Sequence, residues 1–348
     1  MEFTFRSLAE DRLGPVWQRE FHTRWPDYLR WFTRHGESER PTYLESLKAL
    51  KSHFPEMLGL YENMVELAGG GDHAARFLAQ FCPPPLFRGC SQAVYIKDEP
   101  VIVRNYDYSP YVFDGLILRS HFDQRAVIAT IDCMSGVLDG MNADGLAVSM
   151  SFGGREEFGE GFGITLLLRY VLEYARNVAE ACELVKSIPV HGAYNVTLVD
   201  SDANIATLII APGVATRIST DPIATNHQPG SHWPRYQDKV KSTLRFDHLN
   251  WLAAQQLDSL EEFTHRFLQP PLYNNQFGRG FGTLYTAAYY PCRGECHYLW
   301  PDHSWRFNFN QFVESEYRIN FIDPEGYPLQ SESYGEVYTS QRIPGLTF

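Results

Sequence analysis

The chain reads Pro83-Pro84-Pro85-Leu86-Phe87-Arg88-Gly89-Cys90-Ser91 and continues Gln92-Ala93-Val94-Tyr95-Ile96. Three prolines rule out a helix. The apolar and aromatic run behind them predicts a strand over 93–97. Lys97-Asp98-Glu99-Pro100 marks a turn, and a second strand is expected over 100–104, running into Arg104-Asn105-Tyr106-Asp107. The order predicts a hairpin with Cys90 at its root. A glycine directly before the cysteine allows unusual backbone geometry and leaves its carbonyl open to attack. Cutting the Gly89–Cys90 bond would give one residue both a thiol nucleophile and an α-amine base.

On the N-terminal side, 1–81 reads as helical. Thr42-Tyr43-Leu44-Glu45 has capping-box spacing, with Leu47, Leu50 and Phe54 behind it at helical intervals. Pro55 suits a first helical turn, Gly69-Gly70-Gly71 ends that helix, and Asp72 suits a short one through Phe81. On the C-terminal side strands are expected at 114–119, 126–131, 144–151, 194–199, 205–210, 282–290, 295–300 and 304–308. Helices are expected near 163–176, 178–187, 249–257 and 259–267. Antiparallel sheets covered by helices, an α+β layered domain, follow from that order. The boundary falls at 82–90.

Composition narrows the function classes. Hydrophobic residues are 44% and charged residues 21% of 348, as in a globular protein. The net charge of −12 argues against a phosphate-tracking nucleic-acid surface. No signal peptide and no membrane-length apolar run is visible, so the expected location is cytoplasmic. Six cysteines (82, 90, 133, 182, 292, 296) do not make a disulfide framework.

A cysteine is more often a small buried hydrophobe than a nucleophile. Around Cys90, however, a hairpin would return Arg104 and Asp107. A guanidinium favours a thiolate, and a carboxylate can hold a new α-ammonium. The α-amine, with an ordinary pKa of about 7.7–8.0, suits a general base at neutral pH. The plain alternative is a surface Arg–Asp pair.

Four segments in order resemble the N-terminal-nucleophile amide hydrolases of the penicillin acyltransferase and choloylglycine hydrolase family. They are Arg88-Gly89-Cys90-Ser91, Val103-Arg104-Asn105-Tyr106-Asp107, Asp139-Gly140-Met141-Asn142-Ala143-Asp144-Gly145-Leu146 and Ala224-Thr225-Asn226-His227. The resemblance implies a four-layer αββα fold at 90–348, behind an α-helical propiece at 1–89. It implies self-cleavage between Gly89 and Cys90, with Cys90 as nucleophile and its freed amine as base. Arg104 and Asp107 would orient and polarise it, and Asn142 and Asn226 would supply oxyanion or amine contacts. A turn role competes for Asn142 and an Asx-turn for Asn226. Asn195 and Arg279 are weaker matches, and the glycines flanking Arg279 equally suggest a loop.

The expected activity is amide hydrolysis or acyl transfer on a small amide or acyl-CoA-type thioester, with no cofactor. The 1–89 piece is expected to stay bound, and a homo-oligomer is possible for such a chain. Cys292-Arg293-Gly294-Glu295-Cys296 reads as a hairpin tip, lacking the second ligand pair of a zinc site. Two other classes stay open: a binding protein on this fold that is never cut, and a cysteine hydrolase working without a free amine.

Overall fold

The computed structural model describes residues 2–321 apart from 35, 37–39, 86–88, 232, 256–258 and 278–280. β-Branched and aromatic runs separated by turn residues build two sheets. The larger contains β1 (Glu2–Glu10), β4 (Leu116–Ser120), β5 (Val127–Asp132), β6 (Gly136–Asn142), β7 (Leu146–Phe152), β8 (Tyr194–Asp200), β9 (Ile205–Ala211), β10 (Val214–Ser219) and β15 (Ser315–Asn320). Its order is β10-β9-β8-β7-β6-β5-β4-β1-β15. The smaller contains β2 (Gly89–Tyr95), β3 (Val101–Tyr108), β11 (Ile223–Ala224), β12 (Gly282–Tyr290), β13 (Glu295–Leu299) and β14 (Ser304–Asn308), in the order β11-β2-β3-β12-β13-β14.

The sheets pack face to face, with β2 and β3 against β7 and β8. Strand periodicity of two sorts the smaller sheet's residues. Cys90, Val94, Ile102, Tyr106, Tyr285 and Tyr289 join the main core. Ala93, Tyr95, Val101, Val103, Ala288 and Tyr290 form a second cluster with Leu249, Leu252, Phe263 and Phe267. Those four lie on α8 (Ser242–Ala254) and α9 (Leu260–Arg266), or just beyond α9, and α7 (Pro234–Val240) precedes them. On the far side, α5 (Ile164–Tyr174) covers β5, β6 and β7, and α6 (Val178–Val185) covers β8 and β9. The result is the αββα layering of an N-terminal-nucleophile fold. Among the described residues, no helix is long and apolar enough to cross a membrane.

The N-terminal segment departs from the all-helical expectation. It holds α1 (Pro15–Thr33), α2 (Tyr43–His53), α3 (Leu58–Leu67) and α4 (Asp72–Leu78), and α2 carries the capping box at Thr42 and Glu45. Residues 2–10, though, are strand β1, parallel to β4 and antiparallel to β15. Alternation decides it: Phe5 and Ser7 are buried, with Arg6 half-buried between them. Phe5 packs edge-on against Trp300, 4.9 Å between ring centres. The helices share the main core through Trp17, Phe21, Tyr28 and Phe77.

Strand β6 is also absent from the sequence expectation. Its two glycines and one aspartate read against a strand. Gly140 is needed there because a Cβ would stand 2.6 Å from that of Ala129 on β5. The helix expected at 249–257 begins earlier, at Ser242.

Candidate active site

The β2–β3 hairpin extends past both predicted strands, so Cys90 lies within β2. Cys90 stands opposite Tyr106, Gly89 opposite Asp107 and Gln92 opposite Arg104. Alternation then sends side chains to opposite faces. Cys90 and Arg104 point between the sheets, where Arg104 Nη2 lies 3.2 Å from Cys90 Sγ. Ser91 and Asp107 point toward α8. A Cβ at Gly89 would stand 2.8 Å from the Phe281 ring and 3.0 Å from the Asp107 Cβ, so both would have to shift to admit one.

Asn226 follows β11. Its Oδ1 accepts from the Cys90 N–H at 2.7 Å. The segment around it is braced from several elements. Ser151 and Asn195 both donate to the Thr225 carbonyl, at 2.7 and 2.9 Å. Asn195 also reaches the His227 carbonyl at 3.0 Å, Gln237 donates to the Asn226 carbonyl, and Thr225 donates to Ser242 O. Asn195 thus holds the Asn226 segment in place.

Arg245 completes the site and was missed in the sequence. From α8 its Nη1 donates to Cys90 O at 2.5 Å and Ser91 Oγ at 2.6 Å. Its Nη2 donates to Asn226 Oδ1 at 2.7 Å, and Nη1 lies 3.5 Å from Asp107. The signal was available: Arg245, Leu249 and Leu252 form an i, i+4, i+7 stripe with a cation on the buried face. Thr283 on β12 donates to Asp107 at 2.6 Å. Asp139 on β6 pairs with Arg104.

Burial pushes the Asp107 carboxyl up, against the pull of Arg245, Thr283 and Arg104. Burial alone would lower Arg104, but the adjacent Cys90 sulfur and Tyr285 outweigh it and raise it, so the guanidinium stays charged. Tyr236 on α7 is raised well above the usual phenol range by burial and then by Cys90, so it stays protonated.

The structure does not bring Asn142 to Cys90. It ends β6, and its Nδ2 donates to Leu172 O at 3.0 Å and Ala175 O at 2.7 Å, closing the end of α5. Its Oδ1 accepts from Leu146 N at 3.0 Å across the β6–β7 turn. The geometry supports the turn role, because the amide's donors and acceptor are spent on main chain. Arg279 and Arg88 lie outside the described residues. Cys292 is exposed at the β12–β13 turn, while Cys296 is buried in β13.

The sequence matches the family model of acyl-coenzyme A:6-aminopenicillanic acid acyl-transferase over residues 95–305, more than half of the chain. The chain belongs to this family. As a member of the acyl-transferase family it is an enzyme of amide hydrolysis or acyl transfer on small molecules. No curated protein matches the sequence. Solved structures similar to it include a mutant of conjugated bile acid hydrolase from Clostridium perfringens, with 14% identity and a TM-score of 0.45 over 67% of this chain and 97% of that one. Penicillin V acylase from Agrobacterium tumefaciens shows 12% identity and a TM-score of 0.45 over 64% and 87%. The Caenorhabditis elegans N-acylethanolamine-hydrolyzing acid amidase ortholog shows 14% identity and a TM-score of 0.43 over 67% and 100%.

Proposed function

We propose that this chain is a self-cleaving cysteine N-terminal-nucleophile enzyme that forms an acyl-enzyme on Cys90. One observation carries the reading: the two atoms the chemistry needs on a single residue are held separately. Arg104 faces the sulfur, and Asn226 accepts from the nitrogen.

In the first step the Cys90 sulfur attacks the Gly89 carbonyl carbon. The Gly89–Cys90 C–N bond breaks, the thiol proton passes to the departing nitrogen, and a thioester links Gly89 to Sγ. Water hydrolyses it, leaving a Gly89 carboxylate, a Cys90 thiol and a Cys90 amine. Asp107, opposite Gly89, and Asn226 Oδ1 then hold the new ammonium. In turnover the thiolate attacks a substrate amide or thioester carbonyl. Asn226 Nδ2, which donates to Phe152 O at 3.2 Å in the uncut chain, and Tyr236 supply donors for the oxyanion. The α-amine protonates the leaving group, then activates water for hydrolysis or a second amine for acyl transfer.

The acyl pocket is assigned to the space beside Met150, Phe152 and Tyr194. In the intact chain Pro83, Pro84 and Pro85 line the same cavity and leave about 20 Å³. That is room for roughly one water. Cutting at Gly89 frees the end of that linker. The 1–89 fragment stays associated, since β1 and the apolar helix faces bind it to the larger sheet.

Intact mass and denaturing electrophoresis test the reading. Wild type should give fragments of about 10 and 30 kDa, dividing the 39.9 kDa chain in proportion to length. Cys90→Ala should stay whole and inactive on a panel of amides and acyl-CoA thioesters. Active protein in a single uncut band would point instead to a cysteine hydrolase without a free amine. Uncut protein that hydrolyses nothing but retains small ligands would point to a binding protein.

A further inference from the structure

Asp139 is fully buried in β6, opposite Thr130 of β5. Its carboxylate meets four donors, three from the smaller sheet and Thr130 from the neighbouring strand of its own sheet. Arg104 Nη1 and Tyr285 Oη share Oδ2, the tyrosine at 2.5 Å. Tyr289 Oη and Thr130 Oγ1 share Oδ1, the threonine at 3.1 Å. Four donors, one of them a guanidinium, suit the carboxylate form. Arg104 is therefore divided: Nη1 faces Asp139, Leu138 O and Tyr285 Oη, and Nη2 faces Cys90 Sγ. The Tyr106 ring lies 4.8 Å beneath its guanidinium carbon and restricts tilt.

We propose that Asp139 is a positioning residue for acyl transfer: it aims one guanidinium nitrogen of Arg104 at the Cys90 sulfur, and its charge sets how readily that thiol ionises. The proposal rests on Cys90 being the nucleophile. The titratable and charged groups around Cys90 and its Arg104 are Asp107 and Tyr106 from β3, Arg245 from α8, Tyr236 from α7, Tyr285 from β12 and Asp139 from β6. Two arginines offset two carboxylates, so a thiolate in the uncut chain is an uncompensated buried charge. The cut adds an ammonium, which supplies the missing positive charge. Without Asp139, Arg104 would leave the site net positive before any cut, and the thiol would ionise early.

The test is a pH titration of the Cys90 ¹³Cβ resonance in cysteine-labelled protein, assigned by its disappearance in Cys90→Ser. Intact mass assigns each sample as cut or uncut, and midpoints are compared within one form. Asp139→Asn should lower the midpoint by about one pH unit or more, a tenfold easier ionisation, by loss of a nearby like charge. Asp139→Glu, which keeps the charge, should stay close to wild type. An unmoved or raised midpoint in Asp139→Asn, or an equal shift in both variants, would overturn the proposal. Should Asp139→Asn fail to fold, Arg104→Gln with Asp139→Asn replaces the buried pair by two neutral amides. A midpoint within one unit of wild type then supports offsetting charges, and a rise of more than one unit refutes it. The titration reads the thiol whether or not the chain is cut. A failure here with inactive, uncut Cys90→Ala removes only the role of Asp139. Persistent cleavage in Cys90→Ala removes the nucleophile assignment itself.

Discussion

Removing Arg245 tests how the site is held together. Arg245→Met keeps the length of the apolar stem but deletes the guanidinium. Cys90 O, Ser91 Oγ and Asn226 Oδ1 each lose a donor within 2.7 Å, and Asp107 loses the cation 3.5 Å away. Both partners of that ion pair are at least 97% buried on the side chain. Breaking a buried pair from one side costs about 3–5 kcal/mol, because the stranded charge has no water to turn to. At about 2.1 cal/mol/K of unfolding entropy per residue, that lowers the melting temperature by roughly 4–7 °C. All samples carry Cys90→Ala, so that each is the same covalent species. Burial already raises the Asp107 carboxyl, and loss of Arg245 raises it further. A folded-state pKa above the unfolded value means the folded form binds the extra proton. The penalty is therefore small in acid and grows as pH rises through the folded pKa. Melting should fall further below the Cys90→Ala parent at pH 8 than at pH 5. Adding Asp107→Asn should recover at least half of the loss at pH 8. Equal losses at both pH values, or additive losses in the combined variant, would refute the stranded-charge argument.

Asn142→Ala should cost about 2–4 kcal/mol through three lost main-chain contacts, while the folded fraction cuts itself at the wild-type rate. A time course of cleavage beside a melting curve separates this from an oxyanion role. Gly89→Ala should slow self-cleavage more than tenfold, because its Cβ displaces Phe281 and Asp107; intact mass over time reads it, and unimpaired cutting would reject the steric argument. His191 and His297 are both pushed down to about 4 by burial. Their folded pKa values lie below the unfolded value of about 6.5, so stability is full above that pH and lost as pH falls toward 4. Each contributes about 3 kcal/mol to that loss, and His297→Gln should flatten the acid side of a melting-temperature profile.

The hairpin carrying Cys90, Arg104 and Asp107 was legible because it is local. Its turn, its alternation and its glycine all lie within twenty residues. Asn226 was legible only through a short motif, and its bracing by Asn195 and Ser151 depends on strands that no spacing reveals. Asp139 and Arg245 reach the same few ångströms from elements 49 and 155 residues after Cys90. Arg245 nevertheless left a trace, a cation inside an apolar helix stripe, whereas the glycines of β6 hid the strand that carries Asp139. Asn142 was ambiguous because one amide suits both a turn and an oxyanion, and only its partners distinguish them. Strand β1 was hidden for another reason: Glu2 pairs with Asn320, a contact that local pattern cannot announce.

That pairing makes β1 a keystone of aggregation behaviour. A chain deprived of residues 2–10 would bare two strands at once, the β4 flank and all of β15, each with a row of open main-chain donors and acceptors. Such rows recruit strands from other molecules. The intact protein therefore guards its own solubility with nine residues that take no part in the chemistry. A synthetic peptide of that sequence, offered in trans, is the natural donor to refill the gap.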